Sequence, residues 1–220
     1  MFFKPTVRGE ESITVKIPEI ALSRCTGCRK CVDFCAFHAL AFAGGKPILF
    51  DKVCHSCGGC ALLCPAKAIR EKDKTVGEVC SGVSGGVTVH TGRLNVGEAS
   101  GIPVIKHLIG KIADDANRPV FIDCPPGSSC AVMESIQDAD FCVLVAEPTV
   151  FGAHNLAMVY ELAELFEKPL GVVLNKCMEG ENPSEMFCLK NHVPILGKIP
   201  FDTELGALNS EGKIAVRESE

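Results

Sequence analysis

Eight thiols at a fixed spacing constrain this chain more than any other feature. Cysteine falls at 25, 28, 31 and 35 in "RCTGCRKCVDFC" (24–35), and again at 54, 57, 60 and 64 in "VCHSCGGCALLC" (53–64). Sliding the sequence on itself by 29 positions lays the first four on the second four, Ala39 on Ala68 and Leu40 on Ile69. The pattern C-x2-C-x2-C-x3-C, followed by x3-A-[LI], therefore occurs twice, each copy ending in a short apolar turn that can shield a cofactor. A [4Fe–4S] cube needs four thiolates at the corners of a tetrahedron. Three can come from one looping segment with two-residue gaps, and the fourth must come from elsewhere. Structural zinc sites instead pair two C-x2-C hooks across a spacer, a form that a doubled 2-2-3 spacing does not have.

Residues of about 21–71 resemble the bacterial-type 2[4Fe–4S] ferredoxins, in which the last cysteine of each copy ligates the other cluster. The resemblance implies one cube on Cys25, Cys28, Cys31 and Cys64, and a second on Cys54, Cys57, Cys60 and Cys35. It also implies one-electron transfer. Gly27, Gly58 and Gly59 fall inside the loops, where backbone must pass close to inorganic sulfide. Pro65 follows the last cysteine as the pattern asks, whereas Ala36 stands at that place in the first copy.

The setting agrees with metal rather than disulfides. The N-terminus, "MFFKPTVRGEE", lacks the long apolar stretch of a signal peptide, and apolar runs such as "FCVLVA" (141–146) are far too short to span a bilayer. A cytoplasmic location is expected, where thiols stay reduced and Cys-rich spacing means metal. A net charge of -5 argues against a nucleic-acid partner. The other six cysteines (80, 124, 130, 142, 177 and 188) are scattered and read as small buried hydrophobes. Cys130, just after "PPGSS", is the one placed where a redox response would matter.

From about residue 76 the texture changes. "EVCSGVSGGVTVHTGRLNVGEASGIP" suggests two short strands and a loop, and 104–116 carries a helical apolar stripe. Strands are then expected at 119–124, 140–147, 169–176 and 194–200, with helices at 153–168, 183–192 and 203–213. Continuous apolar strands between helices predict an α/β fold with a mostly parallel sheet covered on both faces. Ligands in such sheets bind outside the carboxyl ends of the strands. Three such ends carry polar residues: "VFIDCPPG" with Asp123, "VVLNK" with Asn175 and Lys176, and "KIPFD" with Pro200 and Asp202.

These three stretches resemble the MinD/ParA (SIMIBI) class of P-loop ATPases, and more narrowly members that carry an inserted ferredoxin. The likeness includes "FFKP", "TVKIPEI", "GRLNVGEASGIPVI", "IDCPPGSSC" and "AEPTVFGAHNL". It implies three parts: residues 1–20 as an N-terminal strand of the ATPase-like body, 21–71 as an inserted α+β ferredoxin-like domain, and 72–220 as the rest of the body. It further implies a Walker B-like carboxylate at Asp123, a γ-phosphate-sensing switch reaching Gly127, and adenine flanked by Asn175 and Pro200, with ATP and Mg²⁺ as ligands. Asn155 departs from the Asp often found there in relatives.

The phosphate cradle of that class, G-x-x-x-x-G-K-[ST], is missing. The Gly-Lys pairs at 45, 110, 197 and 212 are followed by Pro47, Ile112, Ile199 and Ile214. In the family the cradle lies on a first strand beside the Walker B strand, which would leave 119–124 with an unpaired edge. A partner chain bearing the loop, a rearranged sheet or a fragmentary chain would each account for this. ATP hydrolysis by this chain alone is not expected. The foremost expectation is an electron-transfer protein that works with a redox partner, on a scaffold that pairs with a P-loop-bearing chain or with a second copy. Cluster assembly or transfer, and a non-catalytic redox subunit on a degenerate ATPase fold, are the alternatives.

Overall fold

A computed structural model of the chain describes residues 5–112 and 118–213. It divides into two compact units, Pro5–Arg118 and Pro119 onward. The division is drawn at a different place from the boundaries expected at 20/21 and 71/72. Among the described residues no helix is long and apolar enough to cross a membrane.

The first unit is built on an antiparallel sheet in the order β1-β4-β5, formed by Thr6–Ile20, Ile69–Ser84 and Val87–Leu94. Residues 6–20 thus pair with 69–83 and not with the parallel strands further along the chain. β4 and β5 join at Gly85-Gly86, both at positive φ, which suits a tight hairpin. Helix α3 (Ile102–Ile112) lies on this sheet through Val104, which packs with Ile13, Val76 and Val79. Gly92 allows the approach, because a Cβ there would sit 2.4 Å from Val104 Cγ1. Glu11 on β1 meets His107, at 2.8 Å, and Lys111 on the same helix. Residues 113–116 of the expected helix lie outside the described residues.

Between β1 and β4 lie two short helical turns, α1 (Lys30–Phe34) and α2 (Gly59–Leu62), and a hairpin of β2 (Leu40–Ala43) with β3 (Lys46–Leu49). The interior of this segment is small. Cys31, Leu40 and Ile69 form its buried centre, with Cys35, Cys60 and Cys64 packed around them. So few apolar side chains make a weak core, and segments of this size usually depend on metals or disulfides.

The second unit has a parallel sheet in the order β6-β7-β8: Cys142–Ala146, Leu170–Cys177 and Ile195–Pro200. Four helices accompany it, α4 (Cys130–Ile136), α5 (Val150–Leu165), α6 (Pro183–Lys190) and α7 (Thr203–Ser210). The molecule is therefore mixed α/β with a parallel sheet. Helix starts follow their caps: Thr149 accepts from Gly152 N, and Asn182 accepts from Ser184 N and Glu185 N ahead of Pro183 at the first turn. Ser184, fully buried, donates to the Glu147 carbonyl and ties α6 to the end of β6.

Two expectations for this unit are corrected. Among the described residues, only one face of the parallel sheet is covered. Leu144, Ala146, Val172 and Leu174 pack with Val132, Leu156, Leu162 and Cys188, whereas Val143, Val145 and Leu196 on the other face are exposed, Val145 to 65%. The segment 119–124 is not a strand, and Phe121 is 94% exposed. The reason is pairing: among the described strands none forms a ladder with it, and an isolated strand has no partners for its amides.

Candidate metal centres

The two cysteine loops repeat in backbone as well as in sequence. Positive φ occurs at Gly27 and Ser56, at Arg29 and Gly58, and at His38 and Lys67, each pair 29 residues apart. Hydrogen bonds repeat with the same step: His38 N donates to Cys35 O and Lys67 N to Cys64 O, both at 3.0 Å. Ala39 and Ala68, each 1% exposed, and Leu40 and Ile69 behind them then turn inward. Left-handed residues in such loops turn successive N–H groups toward one side, a concavity suited to anions. A Cβ at Gly27 would sit 2.9 Å from the Gly45 carbonyl, so only glycine lets loop one lie against the β2–β3 turn.

Each loop walls a cavity. One, partly open to solvent, is lined by Cys25, Cys28, Cys31 and Cys64. The other, likewise partly open, is lined by Cys35, Cys54, Cys57 and Cys60. Apolar side chains close the first (Ile20, Phe42, Ile69) and the second (Phe37, Leu40, Leu49). Each cavity thus offers four thiols in an apolar wall, a donor set and setting that fit a thiolate-ligated cube. Among the described residues, no group of three or more Cys, His, Asp or Glu side chains is placed to hold a metal ion.

Burial raises the Cys31 thiol and pushes Cys60 up to about 11, with neighbouring thiols adding to the effect. Both are neutral at pH 7 in the unligated chain, so metal loading there must displace protons. Cys28 and Cys57, at equivalent places in the two loops, are exposed.

Side chains that the spacing does not reveal hold these loops. Lys46 donates to the carbonyl of Cys25 at 2.7 Å and to that of Leu22 at 3.1 Å. Lys74 on β4 meets Glu98 at 2.7 Å and Asp51 at 3.3 Å, just ahead of Cys54. Its side chain is 15% exposed and that of Glu98 is 8%. Burial lowers the Lys74 pKa, but its bonds to Glu98 and Asp51 outweigh this and raise it overall. Phe37 and His55 stack at 3.9 Å and join the two loops. The pseudo-repeat gives no hint of these contacts, because Lys46, Lys74 and Glu98 lie outside the cysteine motif and Phe37 and His55 are not equivalent positions in it.

The residues implied for a nucleotide are placed less uniformly. Asn175 and Lys176 lie at the end of β7, and Pro200 pairs with Cys177 at the end of β8. Lys176, at φ 55°, bonds Glu147 at 2.6 Å, while the Asn175 side chain accepts from Lys176 N. Asp202 caps α7 by accepting from Glu204 N and Leu205 N. Asp123 is exposed on the unpaired segment, and Gly127 follows at φ 86°. Of the remaining cysteines, Cys142 and Cys188 are buried and Cys130 is exposed at the start of α4.

No protein-family model matches the chain. Two uncharacterized proteins of Methanocaldococcus jannaschii are similar to it. One is 28% identical over 184 residues, covering 84% of this chain and 62% of its own length. The other is 25% identical over 145 residues, covering 66% and 52%. The chain thus spans between half and two thirds of the length of these relatives. Among solved structures, the MinD cell division protein of Aquifex aeolicus aligns with 53% of this chain and 53% of its own, at 20% identity and a TM-score of 0.46.

Proposed function

We propose that this chain holds two [4Fe–4S] clusters and passes single electrons to a redox partner. The observation that carries the reading is the lining of two neighbouring cavities by four cysteines each, Cys25, Cys28, Cys31 and Cys64 in one and Cys35, Cys54, Cys57 and Cys60 in the other. When bound, such clusters supply reversible one-electron storage at low potential. The protein's part is to hold the thiolates, exclude water with Phe42, Phe37 and Leu40, and present the rims at Cys28 and Cys57. Ligands drawn from both loops favour retention over delivery, since releasing either cube requires both loops to open.

The α/β unit is read as a scaffold of the MinD/ParA class that works with a partner chain or a second copy. Asn175, Lys176 and Pro200 at the strand ends support a ligand-facing edge there. These 220 residues contain no G-x-x-x-x-G-K-[ST], and the unit is read as a redox subunit that works with a partner.

Anaerobic reconstitution tests this. Roughly eight irons and eight sulfides per chain are expected, with a paramagnetic signal on reduction, retention in the presence of an apo-acceptor, and negligible ATP affinity. Zinc in place of iron, or rapid loss to the acceptor, would refute electron carriage. Tight ATP binding would refute the subunit reading.

A further inference from the structure

The two loops share a backbone but differ in charge. Cys28 and Cys57 are equivalent under the 29-residue step, and both are exposed. Around Cys28 lie Arg24, Arg29 and Lys30, all exposed, and the last two line the first cavity. Asp33 stands 3.8 Å from Arg29, which also lies 5.1 Å over the Phe42 ring. Lys46 adds a fourth cation behind Cys25. Around Cys57 lie His55, Ser56 and two glycines, and the second cavity has no Lys, Arg, Asp or Glu in its wall. The nearest carboxylate, Glu71, stands 3.1 Å from where a Cβ of Gly58 would be. Residues 21–71 hold seven Lys and Arg against three Asp and Glu, a net +4, in a chain whose net charge is -5.

We infer that the Cys28 rim is the docking surface for an acidic redox protein, and that electrons enter and leave the molecule there. This rests on the two-cluster reading above. An exposed ligand is the point at which a cube lies nearest to a partner. Exposed cations flanking that point in the chain steer anionic surfaces to it, raising encounter rates at low ionic strength. The apolar, weakly acidic rim at Cys57 gives no such guidance.

The test uses the full iron-loaded chain, reduced with dithionite and freed of excess reductant. It is then mixed with cobalt(III)–EDTA, an anion, or hexaamminecobalt(III), a cation. Each event moves one electron from a reduced cube to cobalt(III), giving cobalt(II). The variant Arg24→Gln/Arg29→Gln/Lys30→Gln is compared with Lys16→Gln/Lys72→Gln/Lys190→Gln, an equal charge change at exposed lysines elsewhere. At low salt the rim variant is expected to react roughly tenfold more slowly with the anion and faster with the cation. Salt should erase the difference, and the control should stay near wild type. Iron content is measured first. If the triple variant loses iron, Arg24→Gln/Lys30→Gln, which leaves Arg29 on Phe42, carries the test. Equal rates in the rim and control variants, with clusters intact, overturn the inference and leave the cluster reading standing. A wild-type chain that takes up no iron overturns both.

Discussion

The cysteine loops and the parallel sheet obtain their shape in opposite ways. In the loops, conformation is local: residues 29 apart share the same left-handed backbone, although Arg29 matches a glycine and His38 matches a lysine. In the parallel sheet, conformation depends on neighbours. β6, β7 and β8 are strands because each has a partner, and the equally apolar 119–124 is not, because none of the described strands pairs with it. Apolar burial inverts as well. The sheet unit has a sizeable core on one face, whereas the loops have cysteines where a core would be. The loops should therefore owe their stability to metal, and the sheet to packing.

Iron removal is the strongest way to break that contrast. Chelation should remove the metal binding free energy that holds the loops folded. Hydrogen exchange should show amides of 21–71 losing protection while those of 142–177 keep theirs. Simultaneous loss in both would show that the two regions do not differ in this way. Cys35→Ala sharpens the same point. Iron should fall from about eight to about four per chain. Cys54, Cys57 and Cys60 should become open to alkylation while Cys25, Cys28, Cys31 and Cys64 stay protected. The reverse pattern would mean that each loop ligates its own cube.

Packing is probed on the sheet. Leu144→Ala, on the covered face, should cost about 3 kcal/mol in urea unfolding. Lys74→Met should cost about 2 kcal/mol in the iron-loaded first unit, since it leaves the buried Glu98 carboxylate only the longer pairing with Lys52 at 3.8 Å. Its pH signature has a definite sign. The hydrogen bond from Lys74 holds Asp51 below the usual carboxylate value, so that contribution is present above the ordinary aspartate range and lost as pH falls through the lowered value. The raised Lys74 contributes below its ordinary value and is lost as pH climbs past the raised one. The acid limb of the stability profile should therefore flatten in Lys74→Met. Val145→Thr, on the uncovered face, should change stability by less than about 0.5 kcal/mol. A loss as large as that of Leu144→Ala would mean that this face is buried in solution.

What the sequence disclosed follows the same division. Spacing alone joins three thiols of each set; the crossing of Cys35 and Cys64 is implied by the ferredoxin resemblance, and the fold lines each cavity with one of them. Strands 140–147, 169–176 and 194–200 and their helices were legible from apolar runs within a few residues of the observed ends. The β4–β5 hairpin was read only as short strands and a loop, although Gly85-Gly86 between β-branched residues carried the signal. The pairing of β1 with β4 joins residues 49 to 77 apart, and no local pattern encodes it. The bonds from Lys46 to Cys25 and from Lys74 to Glu98 are likewise products of the fold, and 119–124 has the composition of a strand without its context.

Iron-edge anomalous scattering from crystals grown without oxygen tests the central claim most directly. The account predicts two four-iron peaks, one within Cys25, Cys28, Cys31 and Cys64 and one within Cys54, Cys57, Cys60 and Cys35. A single-ion zinc peak, or a cube held by Cys25, Cys28, Cys31 and Cys35 together, would contradict it.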